Sequence, residues 1–492
     1  MMETSLRTLL RLLFPRLPLI IKTALLNALS LSKSSSKQDV KTEVAVVLLR
    51  DITSARRTIG FMQRYSSRGP PIKGPTVVAK VTVPPPQDDG GVRDVLCSAI
   101  KELGYGNEEY AVPDIAAVEA EWTGYRKNVP PNTPRPDLPE PEQYKLLMKD
   151  VSSPVTILYF HGGAYYLMDP ASVRDTTTRL AKLTGGRCYS VRYRLAPQHP
   201  FPAQLLDALV AYLSLLHPPS GSLHEPVPAE NIVFSGESAG GNLAIALMQL
   251  LLALQRMGTS TIRFHGTDVP VQLPAGVAVN SPWVDITRSL PSNIANAHYD
   301  YLEPLGHTGL SNTEPLPDEF WPTSPPRADI FCNASSMLHP LVSPMQAHPG
   351  LWKGMPPIWM CVGNETLEDE VEVLARRMAQ GGGMVNFVGY EGMPHCFAMI
   401  FPTSPMGKDC FERWAQFCLE VVSGSSPSSS STALWAKAKT NPIQFEEIDI
   451  QSLNTLTDQE VEKITTNMQK HFLQRENELV KKWTEQQATA KL

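Results

Sequence analysis

Asn231 to Asn242 reads NIVFSGESAGGN. Ile232, Val233 and Phe234 suit a buried strand, and residues 243–252 (LAIALMQLLL) suit a buried helix. Between them lies G-x-S-x-G, centred on Ser238. So sharp a strand-to-helix turn forces strained backbone angles, which leads us to expect Gly236 and Gly240 to be needed for their lack of a Cβ. The hydroxyl then stands exposed at a helix N-terminus, where backbone N–H groups meet developing negative charge. In a chain with 31 glycines the pentapeptide is a weak signal by itself. Acyl-transfer chemistry also needs a base, an acid and a second oxyanion donor, and the rest of the chain must supply them.

Outward from this stretch, short apolar runs alternate with helical ones. Residues 155–160, 187–193, 232–235, 276–280, 358–362 and 385–390 read as strands, and 172–183, 203–216, 239–257, 369–380 and 410–422 as helices. Such alternation predicts an α/β fold, a mostly parallel sheet flanked by helices, with ligands at the carboxyl ends of the strands. Residues 285–348, proline-rich and without a clear strand, read as an insertion above that edge.

Candidate partners for Ser238 fall at the same edge. His395, in YEGMPHCF, follows the strand 385–390, where a general base has to sit. Glu365, in VGNETLEDE, follows the strand 358–362 and is placed to orient the imidazole, with Asp369 as the alternative acid. The order Ser238, Glu365, His395 is nucleophile, acid, base. His161-Gly162-Gly163-Ala164 follows the strand 155–160, and its glycines let backbone N–H groups approach a ligand closely; with the Ala239 N–H they make an oxyanion hole. His161 has no second ligand at metal spacing and reads as loop support. No metal or organic cofactor is expected.

The stretches YFHGGAYY, VRYRLAPQHPFPAQLLDAL, GESAGGNLA, SPWVD, HPLVSP and GMPHCF resemble the hormone-sensitive-lipase-like, HGG-type esterases of the α/β-hydrolase fold, over roughly residues 110–422. With EWTGYR at 121–126, the glutamate acid is similar to that of fungal carboxylesterases that include steryl acetyl hydrolases. The resemblance implies Ser238 as nucleophile, His395 as base, Glu365 as acid, and Gly162, Gly163 and Ala239 as the oxyanion hole. It also implies a helical cap from the N-terminal segment and part of 285–348. Many relatives carry Asp at Glu365 and a third Gly at Ala164. The expected activity is hydrolysis of a hydrophobic carboxylic ester, such as a steryl or other lipidic acetate. The alternatives are a non-catalytic binding module on this fold and a lactone or secondary-metabolite hydrolase.

Forty-four prolines in 492 residues, well above the usual ~5%, fit extended loops over a compact core. A net charge of -5 gives no footprint for nucleic acid. Seven scattered cysteines without C-x-x-C argue for reduced thiols and an intracellular, non-secreted protein. Residues 1–110 form an N-terminal segment, 111–422 the catalytic domain, 423–434 a Ser-rich linker and 435–492 a tail with one amphipathic helix. Residues 1–64 carry 11 Lys/Arg against 4 Asp/Glu. Within 1–32, apolar positions are too interrupted by Arg7, Arg11, Arg16 and Lys22 to span a bilayer. That segment either lies on a membrane surface or closes over the binding site. The tail helix docks on the body or contacts a partner or a membrane.

Overall fold

The computed structural model describes residues 11, 13–87, 91–305, 314–425 and 430–490. Leu6, Arg7, Leu9 and Leu10 of the N-terminal pattern lie outside these residues. Ten strands form one sheet: β1 (Thr76–Val83), β2 (Val118–Tyr125), β3 (Thr156–Phe160), β4 (Arg187–Arg192), β5 (Ile232–Glu237), β8 (Gly276–Asn280), β9 (Ile358–Gly363), β10 (Val385–Tyr390), β11 (Thr432–Ala436) and β12 (Phe445–Ile448). Their order is β1-β2-β4-β3-β5-β8-β9-β10-β11-β12. The segment from β4 to β11 is parallel, while β1, β2 and β12 run antiparallel to their neighbours. β6 (Thr261–Phe264) and β7 (Thr267–Pro270) form a separate hairpin that the apolar pattern does not announce.

The central strands are buried on both faces, which is why their sequences are apolar throughout rather than alternating. Alternation survives in which core each side chain enters. Leu158, Phe160, Ile232, Phe234, Val277 and Met360 join the core under the helices Ala203–Leu216 and Ala239–Arg256. Ile157, Tyr159, Val233, Ala278 and Cys361 point into the opposite core, covered by the helices Arg174–Thr184 and Pro405–Val422.

Register brings the strand ends into line. Phe160 pairs with Gly236, Glu237 with Asn280, Asn280 with Cys361 and Gly363 with Tyr390. His161, Ser238, Ser281, Glu365 and His395 therefore leave the sheet along one edge. Above it, residues 285–305 and 314–348 carry only short helical turns. The helices Leu17–Ala28, Val40–Thr53 and Ile59–Ser66 complete the cap. Val40–Thr53 and Ile59–Ser66 are separate helices, each capped at its N-terminus by a side chain, Asp39 and Thr58.

Two expected boundaries are wrong. The sheet begins at β1, well before residue 111, because β1 and β2 form an outer antiparallel pair whose sequence lies among prolines. It also continues past 422. Thr432–Ala436, taken partly as linker, pairs in parallel with β10, and β12 closes the edge after it. The helix Asp458–Ala490, within the tail expected to carry one amphipathic helix, starts at a capping box, Thr457 with Glu460. It docks on the body: Val461 and Phe472 are buried, and the Glu476 carboxylate accepts from the N–H groups of Ala328 and Ala334.

Candidate active site

At the end of β5 the chain turns through Ser238, whose φ of 53° and ψ of −124° are strained for a residue with a side chain, and enters the helix Ala239–Arg256. The strain falls on the serine itself, since neither Gly236 nor Gly240 has a positive φ. These glycines are required for a different reason. A Cβ on Gly240 would lie 2.0 Å from the Phe160 carbonyl oxygen, and one on Gly236 would lie 2.5 Å from the same atom. The end of β3 thus presses directly on the turn, bringing the following loop beside Ser238.

That loop is His161 to Ala164. His161 is buried; burial drives its pKa down to about 4, so the ring is neutral. Its Nδ1–H donates to the Gly162 carbonyl at 2.8 Å, and the ring stacks on Tyr193, whose hydroxyl donates to the His161 carbonyl at 2.6 Å. Gly163 and Ala164 have φ of 97° and 51°. Gly162 departs from expectation as an oxyanion donor: its N–H already donates to Glu237 Oε1 at 2.7 Å. The N–H groups of Gly163, Ala164 and Ala239 donate to no described residue.

Glu237 is the group that sequence reading missed, although it sits inside the opening motif. Its other oxygen accepts from the Tyr159 hydroxyl at 2.5 Å, and burial pushes its carboxyl up to about 7. An ionisable residue at the end of a fully buried strand was the available signal.

His395 and Glu365 meet. The imidazole Nδ1 lies 2.6 Å from Glu365 Oε1, with both side chains buried. Glu365 Oε2 accepts from the Ser281 hydroxyl at 2.6 Å and the Gly363 N–H at 3.2 Å. Burial opposes the imidazolium, but contacts with Cys396 and Glu365 outweigh it and hold His395 well above its ordinary pKa. The Cys396 thiol, pushed up to about 11 by burial, is neutral at pH 7, so the carboxylate is the charge responsible. Asp369 faces elsewhere, accepting from the Ser292 N–H and the Asn454 amide.

A second carboxylate, unforeseen from sequence, joins the two loops. Asp300 Oδ1 accepts from the backbone N–H groups of His395 (3.1 Å) and Tyr301 (2.7 Å), while Oδ2 accepts from the Thr366 N–H (2.9 Å) and hydroxyl (3.0 Å). The cap holds it in turn. Arg50 donates to the Asp300 carbonyl, and the Gln38 amide donates to the carbonyls of Tyr299 and Gly392, both at 2.8 Å. Ser238, His395, Gly162, Gly163 and Ala164 open into one cavity of about 490 Å³, with Leu167, Met168, Tyr301, Leu302, Met399 and Ile400 on its walls. Among the described residues, no cluster of His, Cys, Asp or Glu is arranged to hold a metal ion.

A family profile for the α/β-hydrolase fold matches residues 157–399. An acetyl-hydrolase of Streptomyces hygroscopicus is 31% identical over 52% of this chain and 73% of its own length. Versiconal hemiacetal acetate esterase of Emericella nidulans is 30% identical over 56% of this chain and 83% of its own. The crystal structure of a hormone-sensitive lipase from a metagenome library shares the fold, with a TM-score of 0.50 at 24% identity, covering 78% of this chain and 99% of that one. The likeness in sequence leads to one conclusion: this chain belongs to the family of esterases and acetyl-hydrolases of the α/β-hydrolase fold and is a serine-type carboxylesterase.

Proposed function

We propose that Ser238, His395 and Glu365 form the catalytic triad of an esterase that removes a short acyl group, acetate in the first instance, from a bulky apolar alcohol. The observation that carries the triad is the 2.6 Å contact between Glu365 and His395, in the cavity that Ser238 also lines. In the reaction, Ser238 Oγ attacks the ester carbonyl as its proton passes to His395 Nε2. The oxyanion is met by the N–H groups of Gly163, Ala164 and Ala239, and the imidazolium returns the proton to the leaving alcohol. Water repeats the sequence to release the acid. Glu365 fixes the tautomer by holding the proton on Nδ1 and stabilises the transient cation.

Two relatives named for acetate hydrolysis support the acyl preference. A mostly apolar cavity within the usual ligand-pocket range of ~300–1,000 Å³ supports a large hydrophobic alcohol, a steryl acetate among the candidates. Ser238→Ala should abolish turnover of p-nitrophenyl acetate, and the wild type should favour acetate over longer acyl esters and also cleave steryl acetates. Turnover retained by a folded Ser238→Ala protein would overturn the triad, and a preference for long acyl chains would overturn the substrate class.

A further inference from the structure

The helix Leu17–Ala28 is built inside out. Its buried residues are polar, Thr23 and Asn27. The Asn27 amide donates to the Gln38 carbonyl at 3.1 Å and to the Glu43 carboxylate, fastening this edge to the helix Val40–Thr53. The opposite edge carries Leu17, Ile21 and Leu25. Together with Phe14 before the helix and Leu29 and Leu31 after it, they make an apolar ridge whose members are 41–71% exposed. At 100° per residue, the mean direction of Leu17, Ile21 and Leu25 lies about 140° from that of Thr23 and Asn27, so the ridge and the buried polar pair sit on different faces. A surface helix of a water-soluble domain shows the reverse arrangement, and a contiguous exposed apolar row marks a contact with something other than water.

Charge identifies the contact. From residue 11 to 41 there are six basic residues and one acid, Asp39. Lys22 on the helix and Lys33 and Lys41 beyond it are exposed around the ridge. A second copy of the chain meeting this face would bring these like charges together, whereas an anionic surface is complementary to them. The helix is 12 residues, ~18 Å at 1.5 Å per residue, against a hydrocarbon core of ~30 Å, and no described helix is long and apolar enough to cross a membrane. The ridge is therefore suited to lie in an interface and not to span it.

We infer that the ridge from Phe14 to Leu31, with its flanking lysines, docks this protein on the surface of an anionic phospholipid membrane. The helix Val40–Thr53, directly beneath, contributes Arg50 and Thr53 to the wall of the catalytic cavity. Docking would bring the lipid surface within about one helix diameter, ~10 Å, of that cavity, a short path for an apolar ester leaving a bilayer. The inference concerns binding alone and stands independently of the triad.

The test is co-sedimentation of the full chain with phosphatidylcholine vesicles, with and without phosphatidylserine. Wild type should pellet with the phosphatidylserine vesicles and weakly without. Ile21→Ser/Leu25→Ser/Leu29→Ser, altered only at exposed positions, should bind at least about tenfold less tightly, while its circular dichroism and its hydrolysis of soluble p-nitrophenyl acetate stay unchanged. Lys22→Gln and Lys33→Gln should each cost about fivefold, from ~1 kcal/mol per basic residue at such a surface. Equal pelleting of wild type and the triple variant overturns the inference. So does light scattering that finds wild type dimeric without vesicles and the triple variant monomeric, which would assign the ridge to a second copy.

Discussion

Asp300→Asn tests whether the acid and the base are held by a residue of neither catalytic loop. Asp300 meets five donors, and every one needs an acceptor: three N–H groups on Oδ1, that of Leu302 the longest at 3.4 Å, and a N–H and a hydroxyl on Oδ2. Asparagine is nearly isosteric but has one oxygen. Whichever way its amide turns, its NH2 faces either the His395 and Tyr301 N–H groups or the Thr366 N–H. One or two buried donors are then left unpaired at about 1–3 kcal/mol each, so we expect a loss of about 2–5 kcal/mol from the unfolding free energy. That is a large part of the ~5–15 kcal/mol typical of a folded domain. The Thr366 loop carries Glu365, so the imidazole and its carboxylate lose their common anchor. A displacement of about 1 Å at the reacting groups lowers kcat about 100-fold. Urea unfolding gives the first quantity and p-nitrophenyl acetate kinetics on the folded fraction the second. A purely structural role would lower stability and spare kcat. A variant with wild-type kcat, whatever its stability, refutes the anchoring of the pair by Asp300.

Two further outcomes follow from the site. The acid limb of kcat/KM should lie above pH 6.5, because His395 serves as base only when neutral and its pKa is raised. Glu365→Gln removes the charge, so the limb should move to lower pH while the plateau falls by about 10⁴, read from a pH–rate profile. A raised folded pKa also means that the pair stabilises the fold fully below the unfolded value of ~6.5, and that this contribution fades as pH rises through the folded value. Gly240→Ala sets a Cβ 2.0 Å from the Phe160 oxygen and 2.5 Å from that of His161. Both atoms are backbone, so the elbow and the oxyanion loop must separate by about 1 Å. Tm should fall by several degrees and kcat by about 100-fold.

The proposed catalytic edge was legible because each of its parts has a local signature. A strand followed at once by G-x-S-x-G, by Gly-Gly or by an acid reads as a loop at a sheet edge, and the register aligns those ends. What was illegible is carried by long-range pairing. Asp300 lies among prolines with no periodicity near it, and only the fold brings its carboxylate to His395 and Thr366. Strand β1 is legible from its dense β-branched residues over Thr76–Val83, whereas β2, β11 and β12 were hidden or misjudged because outer strands need fewer apolar residues than central ones. Glu237 and Gly162 show a subtler limit. The motif promised a free N–H at Gly162, but the residue beside the serine takes it, and only atomic geometry reveals that. Glu365 and Asp369, four residues apart, could be separated only by seeing which of them reaches the imidazole.

Gln38 is held between Tyr299 and Gly392, and its bond to Gly392 joins positions 354 residues apart. During synthesis the strap reaches the ribosome exit long before the loop it fastens. At ~5–20 residues per second, Gln38 waits roughly 20–70 s for Gly392 to be made. Throughout that interval the N-terminal segment is present without the loops it will clamp, and its apolar side chains from Phe14 to Leu31 are already synthesised. On the docking inferred above, the order of translation makes the ridge available to lipid before the site is complete, and before Gln38 fastens the loop that carries His395.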